Sequence, residues 1–95
     1  MFRRHNFLKS VLNFADMESE LQPRVPVVEL AGNRRVLIEN HHAVIDYASD
    51  EIRVKVDSGE ISVQGCDLQL AKLAKEQLVI TGRVRCVALN WEVAL

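Results

Sequence analysis

Ninety-five residues carrying twelve basic and thirteen acidic side chains, for a net charge of −1, leave room for one domain and no separate catalytic and regulatory modules. The charge balance gives no global attraction to nucleic acid or to an anionic membrane, and no nucleic-acid partner is expected. No apolar run approaches the roughly 20 residues of a membrane span, and the N-terminus lacks the apolar core and small-residue cleavage site of a signal peptide. A cytoplasmic chain is the expectation.

Residues 1–22 differ in kind from the rest. Phe7, Leu8, Val11, Leu12 and Ala15 recur at helical spacing and form one apolar stripe. No Gly or Pro interrupts them, and Pro23 and Pro26 stop the pattern. The spacing predicts an amphipathic helix over about residues 5–21. Its charges are segregated, with Arg3, Arg4 and Lys9 first and Asp16, Glu18 and Glu20 last. That order opposes the helix macrodipole by a few tenths of a kcal/mol to about 1 kcal/mol per charge, so the basic end is expected to have another use. Arg3, Arg4, Phe7, Leu8, Val11 and Leu12 are the candidate partner contacts, on a protein or a membrane surface. The alternative is a helix lying on the domain with solvated ends.

From Val25 onward the period becomes two, predicting a single all-β domain over residues 23–95. Val28 and Leu30 alternate into a Gly32-Asn33 turn, and Val36 and Ile38 resume the alternation. Ala43 to Tyr47 is a third apolar run. Ile52, Val54 and Val56 alternate with Arg53 and Lys55, then Asp57-Ser58-Gly59-Glu60 predicts a tight turn with Gly59 at positive φ. Ile61 and Val63 return antiparallel. Leu68 to Leu70 reads as a strand and residues 71–76 as a turn or short helical bend. Leu78 and Ile80, then Val84, Cys86 and Ala88, complete the alternation towards Trp91, where apolar residues on both faces predict a bulge or two-sided packing. The whole is mainly β: a meander or small stacked antiparallel sheet of about seven or eight short strands with one N-terminal amphipathic helix.

Three segments, Val28-Glu29-Leu30-Ala31-Gly32, Ile61-Ser62-Val63-Gln64-Gly65 and Leu78-Val79-Ile80-Thr81-Gly82, repeat an apolar-x-apolar-x-Gly unit. Each reads as a strand, a turn or bend needing Gly, and a return strand.

Chemistry-bearing residues crowd together only at Glu39-Asn40-His41-His42. Neighbouring strand residues point to opposite faces, so His41 and His42 cannot share an ion unless the backbone turns there. No metal-ligand spacing is present. Turn chemistry between two core strands is the expected reading, because Asn tolerates left-handed φ. No nucleophile elbow and no phosphate-cradling loop occurs, so neither an enzyme nor a cofactor is expected. Cys66 and Cys86 have nineteen residues between them and are expected as reduced thiols, at least one in the core. Arg34, Arg35, Arg53, Lys55, Arg83 and Arg85 could form a basic sheet face, the basis of an alternative reading as a small anion- or nucleic-acid-binding module.

At Leu30-Ala31-Gly32-Asn33, Ile38-Glu39-Asn40-His41, Ile45-Asp46-Tyr47 and the two later strand–Gly units, the chain resembles the YabP/YqfC family of sporulation proteins. Its length and N-terminal extension look more like the YqfC branch. The resemblance implies a non-catalytic protein of the sporulating cell. It would act in spore morphogenesis or coat assembly through contacts with other sporulation proteins or a membrane protein, at the forespore membrane or coat. Gly32, Glu39, Asn40, Tyr47, Gly65 and Gly82 are the motif positions carried over, and exposed strand edges could support a homo-oligomer. Ala43 stands where the family typically has Gly, which bears on a tight turn after His42.

Overall fold

The computed structural model describes residues 24–92. The expected helix over residues 5–21, with Arg3, Arg4, Phe7, Leu8, Val11 and Leu12, lies outside the described residues. Six strands follow: β1 (Val27–Ala31), β2 (Arg35–Glu39), β3 (Ala43–Tyr47), β4 (Glu51–Val56), β5 (Gly59–Leu73) and β6 (Gln77–Trp91). They form one antiparallel sheet in the order β1-β2-β6-β5-β4-β3. The mainly-β expectation holds, but the strand count is six among the described residues, because β5 and β6 each run for 15 residues.

That sheet cannot be flat. β2 and β3 stand four places apart, about 19 Å at 4.8 Å per strand. Only residues 40–42 join them, and four extended steps reach about 14 Å. The sheet therefore folds over. β5 pairs with β4 through its first half and β6 pairs with β2 through its first half, so each long strand serves two layers. One layer is β3, β4, the start of β5 and the end of β6. The other is β1, β2, the start of β6 and the end of β5. Between them Val36, Ile38, Ile52, Val54, Val56, Ile61, Val63, Leu68, Leu78 and Ile80 form one buried cluster. Each such side chain contributes about 1.5–3 kcal/mol relative to exposure.

The fold-over occurs at one corner of the β5–β6 hairpin. Register shifts fall between Gln64 and Gly65 and between Cys66 and Gln69, where Asp67 takes φ 54°. Across from them Gly82 takes φ 138°. A Cβ at Gly65 would run into the Arg83 carbonyl, and one at Gly82 would lie 2.6 Å from the Asp67 oxygen. The glycines at 65 and 82 thus mark bends inside long strands, not strand ends; this is why counting strand–Gly units overestimates the strands. The two shorter turns tie into the corner: Gly82 and Val84 N–H groups donate to Arg34 and Asn33 at 3.3 and 2.7 Å, and those of Gly65 and Leu68 to Asp50 and Ser49 at 3.1 and 2.9 Å.

Three other expectations change and one holds. Residues 71–73 continue β5, and only Ala74, Lys75 and Glu76 turn, with Ala74 N–H donating to Gln77 at 2.8 Å. The positive φ of the β4–β5 turn belongs to Ser58 (φ 65°), because Gly59 is already a paired strand residue opposite Val56. Cys66 and Cys86 are both exposed free thiols, since the bend and its bulge turn them out of the core. In β6 the shift from Gln64↔Cys86 to Gly65↔Val84 leaves Arg85 as the extra residue. It lets Val84, Val87 and Trp91 all pack on the core, the expected bulge.

Gly82→Ala should cost about 2 kcal/mol or more, since it combines strain with a backbone clash. Gly32→Ala, at φ 56° with open space around it, should cost about 1 kcal/mol. Urea midpoints at constant m-value check the order; equal losses would remove the corner from its organising place.

Candidate functional site

The Glu39-Asn40-His41-His42 segment is the bridge between the two layers. Asn40 takes the left-handed conformation (φ 64°), which Asn tolerates better than other side chains, and so no Gly is required at Ala43, which opens β3. Asn40 N–H donates to the Glu76 carbonyl at 2.7 Å, extending the β2–β6 ladder, and His42 N–H donates to Lys55 at 2.8 Å, extending β3–β4. Two residues apart, the backbone leaves one layer and enters the other.

The side chains diverge accordingly. Asn40 Nδ2 donates to the Val25 carbonyl at 2.7 Å, and its Oδ1 accepts from Arg24 at 3.1 Å. Arg24 also pairs with Glu76 at 3.0 Å, so the entering chain is strapped to this corner. His41 is buried, 5 % exposed, with Nδ1 lacking a hydrogen-bond partner. Burial lowers its pKa below the usual 6.5, and the Arg24 and His42 charges act in the same direction, while a hydrogen bond to the Glu76 backbone opposes them. His42 points the other way and bonds Asp57 through Nε2. The two imidazoles therefore do not converge, and no group of three metal-ligating side chains exists among the described residues. Asp57, fifteen residues from His42, is a partner that no local sequence signal marks.

The remaining motif positions serve the backbone. Gly32 (φ 56°) turns β1 into β2. Tyr47, at the end of β3, accepts a hydrogen bond from Leu70 N–H at 3.2 Å, stitching β3 to the second half of β5 although no ladder joins them. Gly65 and Gly82 form the corner. Glu39 ends β2 opposite Val27 and Gln77, and nothing in the structure explains its identity.

The arginine set separates. Arg34, Arg35, Arg83 and Arg85 lie along the corner, where Arg83 pairs with Asp67 at 2.8 Å. Arg53 lies on the other layer between Asp46 and Glu60, at 3.3 and 3.6 Å. Lys55 sits at the opposite end, across from Ala43 and Glu60. One continuous basic face is not formed. On the same outward face as Arg53, Ser62 Oγ and Gln64 Nε2 donate to Glu51 at 2.7 and 3.2 Å and hold its carboxyl below the usual range. No helix among the described residues is long and apolar enough to cross a membrane.

Among the described residues the longest strand edge without a neighbouring strand is in β6. Its first five residues pair with β2, whereas beyond Thr81 only β5 pairs with it. Val84 uses that edge to reach Asn33, and from Arg85 to Trp91 no described strand pairs there. Leu89 on this stretch is 62 % exposed.

Comparison with known proteins places these features in a family. The profile of the YabP family matches residues 23–92, nearly the span described above. The uncharacterized protein YqfC of Bacillus subtilis (strain 168) is 22 % identical over 88 residues, covering 92 % of this chain and 95 % of that protein. No solved structure matches.

Replacing Asn40 by Gly should keep the turn but lose the Val25 and Arg24 bonds, at about 1 kcal/mol; Ala adds strain and should cost about 2 kcal/mol. Equal stability of all three in urea melts would contradict this. For His41, both states are neutral well above the ordinary value of 6.5. Below it the unfolded chain protonates first, so stability falls as pH drops, at up to about 1.4 kcal/mol per pH unit. Between about pH 7.5 and about pH 5.5, His41→Phe should flatten that loss. A parallel pH profile for the variant would assign the loss elsewhere.

Proposed function

The chain belongs to the YabP family, and we propose that it is a non-catalytic protein of sporulation, acting in spore morphogenesis or coat assembly through protein contacts made at the free edge of β6. The sequence resemblance supplies the cellular setting, the sporulating cell at the forespore membrane or coat. One observation carries the contact: along Arg85 to Trp91 no described strand lies beside the outer edge of β6, and Leu89 within that stretch is exposed. Unpaired N–H and C=O groups beside apolar side chains take up an added strand readily, with backbone bonds giving affinity and side-chain pockets giving specificity. The other free edges are less suited. β3 carries a bulge at Ile45 and an outward Asp46, both devices that discourage pairing. β1 offers only five residues.

The motif residues other than Glu39 support the same reading, since they turn and stitch the backbone and do not converge on a substrate-sized site. Family members sharing them would share a scaffold, and the contact surface would be set by side chains outside the motif.

Leu89→Lys places a charge on this edge at an exposed position, so stability should change by no more than about 0.5 kcal/mol. In sporulating cells a fluorescent fusion of the variant should lose the localisation of the unsubstituted protein, whereas Leu30→Lys, 52 % exposed on β1, should retain it. Unchanged localisation of Leu89→Lys would sink the proposed contact.

A further inference from the structure

Which backbone groups β6 turns away from β5 follows from its register. From Cys86 to Trp91 the two strands pair without interruption, with Cys86 opposite Gln64 and Trp91 opposite Gly59. Glu92 N–H then donates to the Ser58 carbonyl at 3.0 Å, so the even-numbered residues here turn their backbone groups towards β5. Successive residues of an antiparallel strand alternate in this respect. The N–H and C=O of Val87, Leu89 and Trp91 therefore point to the outer edge. The side chains of the same three residues share the inward face. Val87 and Trp91 pack against the core cluster, and Leu89 stands opposite the fully buried Ile61, yet it is 62 % exposed. An inward-facing leucine is normally covered from the strands on both sides, and no described strand lies on the outer side of Leu89.

We propose that the strand added at this edge is β6 of a second copy of this chain, antiparallel about a two-fold axis at Leu89. The inference rests on the β6 edge being the contact surface. In that register Leu89 meets the partner's Leu89, and Val87 meets the partner's Trp91. Every outward-pointing residue then faces another, which allows about six backbone hydrogen bonds. A shift of two residues would instead set Trp91 against the bulged Arg85 and Glu92 against Val84, whose N–H is already held by Asn33.

The side chains are self-complementary in the same register. On the inward face Leu89 packs on its own copy and Val87 on an aromatic ring, a favourable cross-strand pair. On the outward face Ala88 meets Asn90 and Cys86 meets Glu92, so no like charges oppose. A net charge of −1 leaves little repulsion between two copies. Pairing β6 with the edge of β1 would run head to tail and build an open filament, whereas β6 on β6 closes. One ladder and one row of side chains fall at the low end of specific interfaces, so the dimer is reversible and of micromolar strength.

Sedimentation of the full chain should show a monomer at about 1 µM and a shift towards dimer by about 500 µM. Leu89→Lys sets two ammonium groups together at the axis and should weaken the dimer about tenfold or more, whereas Leu30→Lys should not. Amide exchange on the unsubstituted chain gives an independent readout: Val87, Leu89 and Trp91 should slow as concentration rises, and Ala88 and Asn90, which face β5, should not. The register is checked with Cys66→Ser and Cys86→Ser combined with Leu89→Cys. Two such thiols, with Cα atoms about 5.5 Å apart at the axis, should link when oxidised glutathione accepts the two electrons and leaves as two thiols. A chain that stays monomeric at every concentration overturns the proposal. If Leu89→Lys then still loses its localisation in sporulating cells, the edge takes another protein; if it keeps it, the β6 contact falls as well. A dimer indifferent to Leu89→Lys would place the interface elsewhere, and amides 87, 89 and 91 protected already in the monomer would show the edge covered within the chain; either overturns the proposal.

Discussion

Everything in this fold depends on the corner where the β5–β6 hairpin folds over. A 15-residue antiparallel hairpin left straight would present one side of each strand to water along its whole length. Bent at Gly65, Asp67 and Gly82, the same two strands face themselves, and the residues pointing inward before and after the bend meet in one core. The close approach of backbone to backbone there leaves no room for Cβ at either glycine. Small domains have little stability to spare, so two positions that admit only Gly are a severe constraint on 95 residues. The short turns at Asn33-Arg34 and Ser49-Asp50 then dock their carbonyls on N–H groups freed at the bend, so the break in the ladder leaves few orphaned donors.

At the opposite end of the molecule the constraint is reach. Residues 40–42 must carry the chain between layers that a flat sheet would hold farther apart than they can span. Left-handed Asn40 makes the step, and its side chain fastens the incoming strand in the same place. Burying His41 is a cost accepted at the junction, since its Nδ1 finds no partner and the ring is pushed towards the neutral form. His42 and Asp57 fasten the same bridge to the β4–β5 turn. A cluster that looks like chemistry in one dimension is a hinge post in three.

The period of two made the strands legible, and the core residues Ile38, Ile52, Val54, Ile61, Val63, Leu78 and Ile80 all occupy predicted alternating positions. Asn40 and Gly32 were legible as turn residues because their left-handed φ has a residue preference. The strand count was not, because Gly within a bent strand and Gly at a strand end look alike in sequence. The exposed thiols were hidden for a related reason: Cys66 and Cys86 flank register shifts, and alternation gives the wrong face once a strand gains an extra residue. Pairings such as His42 with Asp57, or Tyr47 with the Leu70 amide 23 residues away, follow from topology and carry no local signal.

Folding over also decides where the sheet remains open. Bending separates the second half of β6 from β2, and the strand that would have continued β2 alongside it is a turn. At β5 the matching gap is narrowed by Tyr47, whose hydroxyl stands in for a ladder bond, and by the Ser49 carbonyl. At β6 the closure is made by the N–H groups of Gly82 and Val84, and from Arg85 to Trp91 the backbone groups that do not face β5 have no described strand beside them. The same bend that closes the core thus leaves one edge unfinished. Shortening β6 after Val84 would remove that edge, but would also remove Val87 and Trp91 from the core. Core packing therefore keeps this open edge in place, although unpaired edges are what most folds shorten or cover.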